Sequence, residues 1–403
     1  MACNLYTLSG LNTACRENSF GGIKELYVAY ADDVKTVVNA SSNTIIPMLM
    51  GKAYTYKLKK GVGILTSTFN ADSNTFTNEI TIEFDKLDSA KRLEFMALMD
   101  AHLVMIVKDA NNKYWFVGKD DYLSSSAGSA GTGTLLTDRS NYSMTFSCLS
   151  KELPYEVLAE DAADFYTDWS KEYLTICLYN NDTGAILNFV NGGAEEYESM
   201  NVEYSFDKVT WIPLSFDSET SDDIDTAGFH RHVYLRGVNP NGMFDATADE
   251  PWRIYTENEE VVISVKGNIL SLIDYEHMDT IDSLPESAFL SLFQGFPVYD
   301  AQNLILPPFV GEYCYGNMFY GCTNLVIAPE LPAIDLAQDC YAGMFQGCSS
   351  LKYVKCLAVN NKNAACTNWM KNVSATGTFV KNPLATWAQG DSGIPAGWTT
   401  VDA

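Results

Sequence analysis

The chain has 403 residues, 47% of them apolar, with 23 Tyr and 20 Phe, and its net charge is −25. Such a length exceeds what one hydrophobic core normally serves and predicts two to four domains, while the apolar content excludes a disordered chain. The acidity excludes a duplex-binding surface, which needs clustered Lys and Arg to release counterions.

The charge is uneven. Residues 1–157 hold 15 Lys and Arg against 17 Asp and Glu, whereas residues 158–403 hold 11 against 34. A nearly neutral first part thus precedes an acidic, solvated second part. No stretch reaches the roughly 18 consecutive apolar residues of a membrane span, so no membrane partner is expected. The opening MACNLYTLSGLNTACRENSF has neither a basic leader nor an apolar core and does not read as a secretion signal. Ahead of Cys15 it resembles a lipoprotein cleavage site only weakly, because Asn12 stands where an aliphatic residue is usual.

In chain order, Tyr27, Ala29 and Ala31 interleave with Val28 and Tyr30, and Ile80, Ile82 and Phe84 share one face of 77–85. Both patterns predict strands. Residues 39–76 read as a long hairpin-like arm, AYTYKL (53–58) and GILTSTF (63–69) around a Lys59–Lys60–Gly61 turn. An exposed strand margin is a template for another chain. Tyr54, Tyr56, Leu58, Ile64 and Phe69 are therefore the candidate inter-subunit contacts. One helix is predicted over about 88–101, capped by Asp88 or Ser89, with Leu93, Met96, Ala97 and Met99 as its apolar stripe. A strand pair at 103–107 and 113–118 turns at 109–112. The Gly/Ser-rich segment 121–134 reads as a mobile loop, and 142–149 as the last strand of the region. An acidic linker follows at 158–170.

Short strands are expected at 173–178, 186–190, 202–206, 209–214, 231–237 and 260–265, with a hairpin at Asp207–Lys208. Together they suggest a small β-sandwich of immunoglobulin-like size over 171–275.

Beyond it the sequence repeats. Cys314 and Cys340 are 26 apart, as are Tyr315 and Tyr341, Met318 and Met344, Phe319 and Phe345, Gly321 and Gly347, Cys322 and Cys348, and Leu325 and Leu351. The register reaches back to FQG at 293–295 and forward to Cys366 and Met370. About four stacked units are predicted, with degraded outer ones as caps. Met318, Phe319, Cys322, Leu325, Met344, Phe345, Cys348 and Leu351 are the expected core of the stack.

Chemistry-bearing motifs are scarce. His230 and His232, near Asp222, Asp223 and Asp225, lack a third and fourth ligand at a recognised spacing. Six of the ten cysteines lie in the repeats with no Cys-x-x-Cys pair, so packing of reduced thiols is expected. Gly131-Thr132-Gly133-Thr134 lacks the Gly-Lys-Ser/Thr ending of a phosphate cradle. There is no Gly-x-Ser-x-Gly elbow, and the pairs Glu195/Glu196 and Asp222/Asp223 sit in solvated acidic stretches. No catalytic residue, metal or cofactor is expected.

Two resemblances cover different spans. YCYGNMFYGCTNLVIAPELPA (313–333) and DCYAGMFQGCSSLKYVKCLA (339–358) resemble BspA-type leucine-rich repeats, and TGTFVKNPLATWAQGDSGIPAGWT (376–399) resembles their terminal cap. That family implies adhesion to a host-surface or glycan ligand, for which Tyr315, Tyr320 and Tyr341 are the candidate face. Residues 1–157 are similar to phage tail tube proteins in element order and in the tail GTGTLLTDRSNYSMTFSCLSKELPYEV (131–157). This second resemblance implies a virion protein made in the host cytoplasm. Its homo-hexameric rings would stack into a tube, contact other tail proteins and let genomic DNA pass non-specifically through the lumen. The alternatives are a bacterial surface adhesin and a phage head fibre or decoration protein. The expected fold class is mainly β and multidomain: a tail-tube-like β-sandwich or barrel with one helix (1–157), a linker, a small β-sandwich (171–275) and a short leucine-rich repeat solenoid with its cap (276–403).

Overall fold

The structure is a computed structural model describing residues 21–39, 44–49, 53–59, 62–85, 87–132, 140–179, 184–191, 199–217, 219–227, 232–246, 249–258, 260–359, 361 and 364–403. Cys15, Lys60, Gly61, Gly133, Thr134, the Asp138–Arg139 turn, the Glu195/Glu196 pair and His230 lie outside the described residues. The chain is mainly β and divides into two compact units, Met1–Thr167 and Asp168–Ala403.

Unit 1 contains β1 (Ile23–Tyr30), β2 (Val34–Asn39), β3 (Thr44–Leu49), β4 (Tyr54–Lys57), β5 (Gly63–Asn70), β6 (Thr75–Asp85), α1 (Ser89–Met99), β7 (Leu103–Asp109), β8 (Tyr114–Val117), β9 (Ser124–Gly131), β10 (Asn141–Ser150) and β11 (Tyr155–Val157). A seven-stranded sheet runs β2-β3-β11-β8-β7-β1-β4, and a four-stranded sheet runs β5-β6-β10-β9. In β10 the side chains of Tyr142, Met144, Phe146 and Cys148 alternate inward. There they join Ile80 and Ile82 of β6 and Leu26, Val28, Met105 and Val107 of the larger sheet in one core. The larger sheet is covered on its other face too, by a cluster that includes Tyr27, Ile106, Phe116, Ala162 and Phe165. This double burial explains why β1 and β7 are apolar runs rather than alternating ones.

Four expectations are corrected here. Residues 53–58 and 63–69 do not form a hairpin: β4 pairs with β1 (Leu26 opposite Tyr56) and β5 with β6 (Leu65 opposite Ile80), so the chain crosses between sheets. Two ladders on core strands outweigh one local turn. The Gly/Ser-rich loop contains an edge strand, β9, held to β10 from Asn141–Gly131 to Ser147–Ser124. The segment 158–167 is no free linker, since Ala162 and Phe165 are buried against the seven-stranded sheet. On α1, capped by Asp88 accepting from the Lys91 N–H at 2.8 Å, the buried side chains are Phe95 and Leu98. Leu93, Met96 and Met99 of the expected stripe are exposed.

Unit 2 contains β12 (Leu174–Tyr179), β13 (Ile186–Val190), β14 (Val202–Ser205), β15 (Ile212–Pro213), β16 (Ile224–Asp225), β17 (His232–Gly237), β18 (Phe244–Asp245), β19 (Glu250–Pro251), β20 (Arg253–Tyr255), β21 (Val262–Asn268), β22 (Val298–Asp300), β23 (Leu304–Ile305), β24 (Ile327–Leu331), β25 (Tyr353–Cys356), β26 (Gly377–Lys381) and β27 (Trp398–Asp402). The expected hairpin at Asp207–Lys208 joins β14 to β15, with Lys208 at φ 61°. Asp207 caps it by accepting from the Thr210 N–H at 2.7 Å and the Val209 N–H at 2.8 Å. These bonds pull its pKa down to about 2.

No break falls at 275–276. One eleven-stranded sheet runs from β15 to β27, and β21 is its pivot, antiparallel to β12 and parallel to β22. A single hydrophobic cluster extends from Leu174 to Trp398. The expected sandwich and the repeat stack are one folded body, because each covers the other's open end.

The repeats form a C-terminal β-solenoid. Each coil carries one short parallel strand and then, in place of a helix, a run of successive turns. Those turns need left-handed backbone every fourth residue: Ser287, Ser291 and Gly295 in the first coil, Tyr313, Asn317 and Gly321 in the second, Asp339, Gly343 and Gly347 in the third, Ala364, Asn368 and Asn372 in the fourth. Alternate N–H groups close turns within a coil or reach the next one. Tyr320 donates to the Asn317 carbonyl at 2.9 Å, whereas Phe319 donates to the Met344 carbonyl at 2.9 Å. Backbone polarity is thus satisfied along and between coils. The left-handed positions step by 26, 26 and then 25 residues, so the fourth coil is one residue short. Cys366 accordingly takes the place of Tyr341 and Met370 that of Phe345, not those of Cys340 and Met344 as the constant period predicts.

Candidate binding surfaces

The eight repeat residues expected in the core, Met318, Phe319, Cys322, Leu325, Met344, Phe345, Cys348 and Leu351, are all buried. Their rings stack coil on coil: Phe293–Phe319 at 5.3 Å and Phe319–Phe345 at 5.8 Å between centroids. Cys322 and Cys348 donate from Sγ to the carbonyls of Phe293 and Phe319, both at 3.0 Å. Burial pushes the Cys340 and Cys356 thiols up to about 12, which leaves them protonated and poorly nucleophilic at neutral pH.

Tyr315 and Tyr341 are not on a ligand face. Both are fully buried and stack at 5.9 Å within a second ladder from Phe289 to Trp369. Among the described residues their hydroxyls find no hydrogen-bond partner. The tyrosine follows Cys314 or Cys340 and lies on the inward side of the turn run, which the period alone does not reveal.

Tyr320 is different. It lines an open groove of about 400 Å³ together with Val190, Arg253, Ile254, Tyr255, Gln294, Gly295 and Gly321. Two parts of unit 2 build this groove. The edge strand β20 pairs with β13, Val190 opposite Arg253. On its other side the Ile254 N–H donates to the Leu292 carbonyl at 2.8 Å and moors the strand to the first coil. Ile254 is buried, so strand alternation turns Arg253 and Tyr255 to the opposite face. Coils one and two supply the rest, tied by the Gly295 N–H to the Tyr320 carbonyl at 2.8 Å. Tyr255 is 46% and Tyr320 38% exposed.

Electrostatics set Arg253 apart from Arg236. Arg236 is saturated: its Nε donates to Glu203 at 2.7 Å, and its guanidinium lies 3.9 Å from the Trp211 ring centre and 4.2 Å from that of Tyr275. Among the described residues Arg253 has no ion pair or side-chain hydrogen bond, and none of the described residues that line its groove carries a carboxylate.

In unit 1 the candidate arm residues separate by sheet. Tyr56 and Leu58 are partly buried against the core, and Tyr56 donates to Glu94. Tyr54 on β4, with Ile64 and Phe69 on β5, is exposed on the edge strands of the two sheets.

Among the described residues no group of three or more His, Cys, Asp or Glu is placed to hold a metal ion. His232 stacks on Tyr234, with ring centres 6.1 Å apart. No helix among the described residues is long and apolar enough to cross a membrane. No family model, curated protein or solved structure matches the chain.

Proposed function

We propose that this chain is a non-catalytic adhesive protein, whose solenoid is a rigid scaffold displaying a ligand groove and whose first unit joins it to other subunits. The observation that carries this reading is the Arg253–Tyr255–Tyr320 groove. Among the described residues its polar tips have no partner, and a strand and two coils fix it through backbone hydrogen bonds, so little ordering is needed when a ligand arrives. The BspA-type resemblance of the repeats supports the same reading. The test is retention of the full chain on mucin-coated or whole-cell surfaces: Tyr255→Ala with Tyr320→Ala should lower it at least tenfold, and a wild-type chain retained on none of them defeats the reading.

A second reading, a phage tail tube subunit in stacked hexameric rings, is favoured by one feature of unit 1. Tyr54, Ile64 and Phe69 are exposed on β4 and β5, the end strands of the two described sheets, and such end strands are suited to pairing with a further subunit. Electron microscopy of the purified chain decides it: sixfold rings or tubes support a tube subunit, and dispersed monomers leave only the adhesive role.

A further inference from the structure

We infer that the groove between β20 and the first two coils binds a saccharide bearing a carboxylate, with Arg253 holding the acid and Tyr255 and Tyr320 holding the sugar rings. The inference rests on the adhesive reading and names its ligand class.

Charge is the first argument. Residues 168–403 carry 31 Asp and Glu against 11 Lys and Arg. In so acidic a body a cation near the surface readily finds a carboxylate, as Lys208 does in Glu172, Lys355 in Glu330 and Arg236 in Glu203. Among the described residues Arg253 has none, as Lys352 and Lys371 have none, but of these three it is the one that lines the groove, on a strand held by β13. A guanidinium is a planar fork of donors that matches a carboxylate in bidentate fashion. A lone fork also suits one acid group better than a polyanion, which needs several cations in a row.

The tyrosines narrow the class. They are 65 residues apart in sequence, yet both rings line the same groove, each with an apolar face and a polar tip. Such rings cover the C–H faces of pyranoses while their hydroxyls meet the sugar hydroxyls. Gln294 adds donors and an acceptor at the base. Gly295 and Gly321 leave that base bare: a Cβ at either would meet nothing within 4 Å and would occupy the groove.

A peptide fits less well. Peptides commonly bind beside a strand by completing a free edge. The outer edge of β20 is already engaged, through the Ile254 N–H to the Leu292 carbonyl.

Isothermal titration of the full chain tests the inference, with a disaccharide bearing a single galacturonate and a sialylated trisaccharide as acidic probes and their uncharged galactose counterparts as controls. Binding of one acidic probe at least tenfold tighter than its control supports it and shows whether a uronate or a sialate is preferred. Arg253→Gln should remove that preference, Arg253→Lys should keep part of it, and Tyr320→Ala should weaken acidic and neutral sugars alike, with thermal melting unchanged in each variant. Equal binding of acidic and neutral probes, or an Arg253→Gln chain that still discriminates, overturns the acidic class while leaving an adhesive groove in place. Absence of saccharide binding, or capture of acidic peptides instead, overturns the inference outright, and surface retention then judges the adhesive reading separately.

Discussion

The two units solve the same problem, a β-structure with open edges, in opposite ways. In unit 2 each coil is the partner of the next, and the sequence continues from an antiparallel sheet into the parallel stack without a break in the core. Large apolar residues of the repeats consequently go inside, Tyr315 and Tyr341 included. Unit 1 builds two separate sheets and leaves Ile64 and Phe69 outside on an edge strand, with Leu93 and Met96 outside on α1. Unit 2 also leaves apolar residues outside, Val209 and Leu384 among them, so the contrast lies in the stacked rings of the repeats, which the next coil covers, against the edge strand β5 and the α1 face, which no described residue covers.

The largest test of that contrast is Phe345→Ala. Phe345 is buried between Phe319 and Trp369, and truncating such a ring removes about 3–5 kcal/mol. Because the units have separate core clusters, differential scanning calorimetry should show the transition of unit 2 falling while that of unit 1 stays. Movement of both would mean that the cores are not independent.

Glycine positions sharpen the account of the turn run. At Gly343, with φ +63°, a Cβ would lie 2.2 Å from Asn317 Oδ1, whereas Gly321, with φ +74°, has open space around it. Both alanine variants suffer left-handed strain of roughly 1–2 kcal/mol. Gly343→Ala adds a steric penalty of about 1–3 kcal/mol, so chemical denaturation should rank it below Gly321→Ala. Equal midpoints would show that Asn317 simply moves aside.

A stabilising change follows from the tyrosine ladder. The Tyr315 and Tyr341 hydroxyls are buried without partners among the described residues, and an unsatisfied buried group costs about 1–3 kcal/mol. Tyr315→Phe or Tyr341→Phe keeps the stacked ring and removes that group. Each should raise the melting temperature of unit 2; a drop would reveal a hidden partner for the oxygen.

These tests also mark what the sequence made readable. The 26-residue period was plain because Met, Phe, Gly and Cys recur in register, and a stack must bury identical positions. The turn run was hidden, since Ser287, Tyr313, Asp339 and Ala364 adopt left-handed backbone without being glycine. The shortened fourth coil shows in the spacing of its left-handed positions, which the constant side-chain period concealed. Strand β9, SSSAGSAG, has neither β-propensity nor alternation and exists because β10 needs a neighbour. Tyr320 could be singled out as an aromatic residue of the repeat, but its groove partners Arg253 and Tyr255 could not: a separation of 65 residues carries no local signal.

Surface changes in unit 1 should affect association and hardly touch stability. Ile64→Lys with Phe69→Lys places charge on an exposed edge, where substitutions usually stay within about 0.5 kcal/mol and where Lys blocks edge pairing. Sedimentation velocity should show smaller assemblies than the wild type at an unchanged melting temperature. Assemblies of unchanged size would clear β5 of any role in contact.

The smallest effect concerns the β14–β15 turn. Asp207 accepts two backbone N–H bonds that favour its ionised form, so its folded pKa, about 2, lies below the ordinary aspartate value of 3.8. A depressed folded pKa means that the carboxylate's contribution is complete above its unfolded value and is lost as pH falls through the folded one. An NMR titration of the Thr210 and Val209 amides should therefore change between about pH 4 and pH 2, and Asp207→Asn should abolish that change. A midpoint near 4 would mean that the turn gains nothing from the charge, and that Lys208 holds its left-handed backbone through the strands on either side rather than through this cap.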